Sequence, residues 1–517
     1  MLPQADARVV SAQEVEIDCH VSGPKRFART AEGAEALAAA LASDDPKAAL
    51  STLLTLVPAA EQGDVPPYII GTVAGGGPDR TETEAWENQV VRAAALQQVA
   101  VEMTGADGAP GPRAYWLKLV LAIHRAAIGG SSERYRDGVS VSLAEGERAI
   151  IITSDLLSFV VREHTYAAGL DADGQPRPPI RIFRLFGPDD EHGDKKTWRA
   201  LFAHQGLIVA GSDLVHLSPL MPLCDEPTYT TLHRDDARHP QPQSHAAAAR
   251  TLDEANAAML RKLDESDVAQ GRVRSREGLA TYLEYHSGLM YATSKRKRSR
   301  LPAEERLYRA WCALLWSVYH RTFIMVVDGY TLDQNFMSDQ SYHDALLRCA
   351  RVACTLVAQA LTDSELPFCP WQHGEGWLER IFGQVRAGHG IQRSVSTTTL
   401  RERLRRADFR IRAQFTSGLK TVNRRHKRLD VEGRREREPP LPSLCADLGD
   451  AVGEDALCQL VARTSRRAFE HVRSSLHRLD MARELIASGY SGCSELQLAA
   501  PALAFSFTVR HGPFDNT

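Results

Sequence analysis

Apolar residues recur at spacings of three and four through most of the second half of the chain. This period predicts helices at 244–266, 275–291, 302–327, 338–362, 374–387, 397–415 and 455–487. The same spacing predicts amphipathic helices at 84–103 and 113–128, joined by a Gly105–Pro112 linker, and an Ala-rich helix over Ala31–Leu56. In the middle of the chain the pattern changes to β-branched runs at Val139–Leu143, Ala149–Thr153 and Pro178–Phe186. Gln205–Gly211 reads as a last short strand or as a helix end. Sheet is therefore expected to be confined to about 135–215, with at least two strands adjacent. The resulting fold class is α+β: a small sheet in the middle of the chain and a predominantly helical C-terminal half. Four regions follow: a helical N-terminal region 1–130, a sheet-containing core 131–243, a helical region 244–433 and a helical tail 443–517.

Length and composition agree with this division. A chain of 517 residues exceeds one hydrophobic core, and 43% apolar with 25% charged residues is ordinary globular composition. The most apolar run, Trp311–Val327, carries His320 and Arg321 at its centre. It predicts a core helix rather than a bilayer span, so no membrane partner is expected. The start of the chain lacks a basic segment followed by an apolar one, which leads to the expectation of a nuclear or cytoplasmic protein. None of the nine cysteines forms a C-x-x-C pair, so buried free thiols are expected and a zinc-bound module is not. Gly75-Gly76-Gly77-Pro78 lacks the Gly-Lys-Ser/Thr that a phosphate loop needs.

The segment with most chemical content is Pro370-Trp371-Gln372-His373-Gly374-Glu375-Gly376-Trp377-Leu378-Glu379-Arg380-Ile381-Phe382-Gly383-Gln384-Val385-Arg386. Leu378, Ile381, Phe382 and Val385 share one helix face, and Glu375 and Glu379 lie one turn apart on another. A carboxylate fixed on a core-packed helix suits a metal-dependent nuclease; a solvated glutamate beside Arg380 and Arg386 is the plainer reading. The segment resembles the PW-x-H…E…E-x-x-FG-x-x-R signature of fungal transposon-derived proteins, which is similar to the acidic helix of P-element-like DDE transposases. Asp189–Arg199, with His192, Lys196 and Thr197, is similar to the family's D-x-x-H-x-x-K-T-x-R-N stretch. Leu232–Asp236 and Ala247–Arg250 resemble its next helix entry. The resemblance implies an RNase H-like fold, with Glu379 as the last member of an acidic triad. It departs from the signature at Gly376, where a carboxylate is usual, and at Ala200, where the stretch normally ends in Asn.

Such a triad needs two strand-end aspartates. Asp155 follows the strand 149–153, and Asp189 and Asp190 follow the strand 180–186. The plainer readings are an N-cap before Leu156–Phe159 for Asp155 and a turn after Gly187-Pro188 for Asp189 and Asp190. By the resemblance, Glu379 with Asp155 and Asp189 or Asp190 would hold magnesium for phosphodiester chemistry. The departures lead us to expect a degenerate nuclease, with magnesium as cofactor if the chain is catalytically active and no cofactor otherwise.

Basic residues are concentrated downstream. Between Gly376 and Glu438 they outnumber acidic ones by roughly ten. Arg386, Arg401, Arg405, Arg406, Arg424, Arg425, Lys427 and Arg428 are the candidate phosphate-binding side chains, which suit non-specific binding of duplex DNA. Lys295–Arg300 reads as a nuclear localisation signal, a phosphate-contacting loop or a solvated loop. The sequence thus predicts a transposase-derived, DNA-binding protein. The alternative is a non-enzymatic helical interaction protein whose basic stretch binds an acidic partner.

Overall fold

A computed structural model describes residues 80–99, 147–153, 157–167, 169–171, 173–183, 185–202, 207–225, 232–238, 240–242, 244–270, 276–293, 301–373, 394–417, 441–449 and 453–488. Isolated strands within 2–75 and at 103–106, 140–142 and 508–509, together with Val385, complete the description. The chain forms two compact units. One comprises Met1–Val90, Ala109–Tyr115 and Glu375–Pro440; the other comprises Val91–Gly108, Trp116–Gly374 and Leu441–Thr517.

In the first unit, β1 (Leu2–Gln4) pairs in parallel with the strand Ser394–Ser396. Strands β2 (Asp6–Val9), β3 (Glu14–Cys19) and β4 (Gly23–Ala28) form an antiparallel sheet in that order, and β5 (Leu50–Leu56) pairs antiparallel with β6 (Tyr68–Gly75). Sheet is therefore not confined to the middle of the chain. The expected helix over Ala31–Leu56 also fails at its end, where Leu50–Leu56 is a strand. Thr52 and Thr55 are stiff at χ1, and the segment faces the β-branched β6, so cross-strand pairing outweighs weak helix propensity. The helix Thr397–Ser417, hereafter the basic helix, packs against β1, β6 and the strand Ser394–Ser396.

The second unit begins within α1 (Arg80–Leu96), whose Val91 and Ala95 pack on Tyr166 and Ile182. Strand β7 (Met103–Ala106) follows, then the antiparallel sheet of β8 (Ser140–Ser142), β9 (Glu147–Thr153), β10 (Leu157–Tyr166) and β11 (Ile180–Phe183). Adjacent strands in 135–215 are as expected, but β10 replaces the helix start proposed at Leu156–Phe159. Ile150, Ile152, Phe159 and Val161 are buried at every second position, which is strand periodicity. Glu163 continues that buried row and is held between Arg148 and Arg181. Burial alone would raise its carboxyl, yet the two guanidinium groups keep it below the ordinary range. Strand β12 (Leu185–Pro188) leaves this sheet and pairs in parallel with β7.

Beyond α2 (Asp190–Ala200), a hairpin of β13 (Ile208–Ala210) and β14 (Asp213–Val215) turns at Gly211. Its φ of +63° and the approach of Leu479 O, which a Cβ would meet at 2.1 Å, leave room for glycine alone. Among the described residues the remaining helices of seven or more residues are α3 (His245–Thr251), α4 (Glu254–Ala269), α5 (Glu277–Thr293), α6 (Ala303–Val326), α7 (Asp339–Thr362), α8 (Glu454–Arg478) and α9 (Met481–Ala487). The expected helices 275–291, 302–327 and 338–362 appear as α5, α6 and α7 within a few residues, whereas 244–266 and 455–487 each divide in two, at Leu252–Asp253 and at Leu479–Asp480. Helix α6 is the hub, packed by α5, α7 and α8, with Trp311, Trp316 and Tyr319 fully buried. Trp311 donates its indole N–H to Thr464 Oγ1 at 3.1 Å, so its one polar atom is satisfied inside the core. Helix α7 is long and apolar enough to cross a membrane by length and composition, but 67% of its apolar stretch is buried inside the protein.

Candidate functional site

The parallel pair β7–β12 sets Leu185, Phe186, Gly187 and Pro188 against Met103, Thr104, Gly105 and Ala106. Asp189, next after β12, is buried and caps α2, its Oδ2 accepting the His192 backbone N–H at 3.1 Å. Asp190 faces the other way. Its carboxylate accepts from Arg351, and its Oδ1 also from Arg348 Nε at 2.9 Å. Arg351 donates further to Pro188 O at 2.9 Å, and Arg348 Nη2 to Asp194 Oδ1 at 2.6 Å. Asp190 is thus held between two guanidinium groups.

The rest of the Asp189–Arg199 stretch has structural partners as well. Lys196 Nζ bonds Asp344 Oδ2 at 2.7 Å, and Thr197 O accepts from the Tyr282 hydroxyl at 2.9 Å. His245, at the start of α3, lies 3.6 Å from both Glu191 and Asp194. Burial would raise the Asp194 carboxyl, but Arg348 and His245 hold it below the usual carboxylate range. These ion pairs bind α2 to α3 and α7. Asp236 and Arg250, drawn from the two resembling segments at 232–236 and 247–250, meet in a bidentate pair at 2.7 Å.

Of the acidic segment, Pro370–His373 is a 3-10 turn, and the Arg306 guanidinium lies 5.1 Å from the Trp371 ring centre. Burial pulls the Arg306 guanidinium down to about 10, and it donates to the carbonyls of Tyr291, Ala292 and Leu301. Val385 is helical and buried, in keeping with its expected place on the apolar face. Glu379, Glu375, Leu378, Ile381, Phe382 and Arg386 lie outside the described residues. So do Asp155, Arg424, Arg425, Lys427, Arg428 and the Lys295–Arg300 run. Among the described residues no group of three or more His, Cys, Asp or Glu side chains is arranged to hold a metal ion.

The basic helix places Leu404, Ala407 and Ile411 in the interior, together with Arg403, while Arg405, Arg406, Arg410 and Arg412 are exposed. Over 402–413 five arginines stand against two carboxylates. Arg406 lies 3.9 Å from Glu402 and Arg412 lies 2.8 Å from Asp408. Among the described residues Arg405 and Arg410 have no carboxylate partner. Such i,i+4 pairs in solvent are weak, and phosphates can displace them. The side chain of Arg401 lies outside the described residues.

Sequence reasoning missed Arg348 and Arg351. Their signal was two arginines three residues apart on an otherwise apolar helix face, where an unpaired charge would be untenable. It also missed strand β7, read as helix end and linker, which is directly followed in sequence by Asp107.

No protein-family model matches this chain, and no curated protein matches it. Among solved structures it is similar to a chain of the Drosophila P element transposase strand transfer complex. The overlap has 12% identity and a TM-score of 0.45, and covers 80% of this chain and 75% of that one. Overlap at that level does not establish a shared fold.

Proposed function

We propose that this chain is a transposase-derived protein that binds DNA through the basic helix and the basic residues that follow it. The observation that carries this reading is the exposed row Arg405, Arg406, Arg410 and Arg412, fixed by a buried face of Leu404, Ala407 and Ile411. Guanidinium groups on a rigid helix can neutralise successive phosphates without reading bases, so binding to duplex DNA is sequence-tolerant and steeply salt-dependent. Replacing Arg405, Arg406 and Arg410 with Ala is expected to weaken binding to unrelated duplexes alike. The log-log salt slope should fall by about 0.9 for each phosphate that is no longer neutralised. Anisotropy titrations at several salt concentrations measure both. If affinity and slope stay unchanged, the row does not touch DNA, and the rival reading, docking of an acidic protein, gains.

One observation favours a second reading, strand cleavage: the parallel pair β7–β12 is followed in sequence by Asp107 on one strand and Asp189 on the other. In this reading Asp107 and Asp189 take the strand-end positions of an RNase H-like centre. Asp155 drops out, because it lies in sequence within the short connection between β9 and β10. Magnesium, when bound, would supply the charge that activates water and stabilises the leaving oxygen. The expected result with supercoiled plasmid and magnesium is nonetheless intact DNA, since Gly376 stands where the signature has a carboxylate. Metal-dependent nicking that disappears in both Asp189→Asn and Glu379→Gln would reverse that expectation and make the carboxylates catalytic.

A further inference from the structure

The basic helix carries one residue that phosphate binding does not explain. Phe409 is 72% exposed, the most exposed large apolar side chain among the described residues. Helical geometry, about 100° per residue, places it on the same face as Arg405, Arg406 and Arg412. One turn to either side it is flanked by guanidinium groups, and Leu404, Ala407 and Ile411 already fill the buried face. A bare aromatic ring in water forgoes the free energy of burying its apolar surface, while a phosphate-binding face alone needs no ring.

We propose that Phe409 is a stacking platform for an unpaired base, and that the face it centres on binds single-stranded DNA in preference to intact duplex. This deepens the DNA-binding reading and rests on it. In a duplex the base faces are stacked on one another, so a ring on a helix surface reaches only the backbone. In a single strand the faces are open, and arginines on either side of the ring can take the flanking phosphates. Exposed cations interleaved with one aromatic ring make a surface complementary to that alternation of phosphate and base. Because every base has a π-face, recognition is tolerant of sequence.

The full-length chain is titrated against a labelled oligothymidylate single strand, a mixed-sequence duplex of equal length and an oligouridylate. Phe409→Ala is expected to weaken single-strand binding by roughly 5- to 150-fold, the range for removal of one base–aromatic stack. Duplex affinity and the salt slope should be unaltered, since a phenyl ring neutralises no phosphate. Phe409→Trp restores or tightens single-strand binding, which a merely structural role would not produce. The inference fails if Phe409→Ala leaves single-strand affinity unchanged, or weakens duplex binding equally. It also fails if oligouridylate is bound more tightly than oligothymidylate, which would assign the face to RNA. If Arg405→Ala and Arg410→Ala weaken DNA binding while Phe409→Ala does not, the stacking inference falls by itself. If none of the three changes has any effect, the DNA-binding reading falls with it.

Discussion

Arg351→Met should lower the unfolding free energy by about 3–5 kcal/mol, the usual penalty for removing one partner of a buried ion pair. Arg351 is fully buried on α7, and it is bonded both to the Asp190 carboxylate and to Pro188 O. Without it, Arg348 is the one guanidinium left for Asp190, and it also serves Asp194, which it shares with His245. A loss of this size is a large part of the total for a domain of marginal stability. The double change Asp190→Leu with Arg351→Met is expected to recover much of the loss, because neither charge is then left in the interior. Urea denaturation followed by far-UV circular dichroism reads both effects. If Arg351→Met shifted the transition no more than Arg483→Met, an exposed arginine on α9, the network would contribute little.

Acidification from pH 7.5 to pH 5 should cost the folded state about 4 kcal/mol through two histidines. His286 and His320 are buried among α5 and α6, and His320 Nε2–H donates to Val209 O at 2.6 Å. Burial pushes His286 down to about 3, aided by the nearby His320 and Arg348, and pushes His320 down to about 4. In the unfolded chain both would take up a proton near pH 6.5. The unfolded state therefore binds more protons below that pH, and stability is lost as pH falls from 6.5 toward 4. His245 acts in the opposite sense: burial would lower it, but Asp194 and Glu191 raise it, so its contribution is present below pH 6.5 and lost above its folded value. The depressed carboxylates Asp194, Glu277 and Glu284 begin to matter only below about pH 4.5. Denaturation midpoints of the protein and of His320→Gln at both pH values test this. The variant should lose about half of the pH-dependent change, and an equal pH response in the two proteins would exclude His320 as a source.

The helical half was legible because its signal is local and redundant. Helix α6 is almost wholly apolar around its circumference over Ala310–Tyr319, and α8 carries a clean apolar stripe, so each reads as helix without knowledge of its neighbours. Strands were less legible where pairing decides the outcome. Leu157–Tyr166 begins with a run that suits a helix, and its pairing with β9 over seven residues and with β11 over four makes it a strand. Met103–Ala106 has no strand signature at all, with Thr104 its one β-branched residue, and it pairs because β12 offers a partner.

The candidate site divides in the same way. Sequence alone determined that 397–415 would be a helix crowded with arginines, since charge density and residue spacing are properties of the chain itself, while the family resemblance singled out Asp189–Arg199. Tertiary structure decided what each charge does. It turned Asp190 toward Arg348 and Arg351, used Asp189 to cap α2, paired Asp236 with Arg250, and left Phe409 in solvent between arginines. The physical reason is that a carboxylate or a ring takes its role from the charge, dielectric and free volume around it. Those are set by residues 150 or more positions away in the chain for Asp190 and its arginines, and no local pattern encodes them.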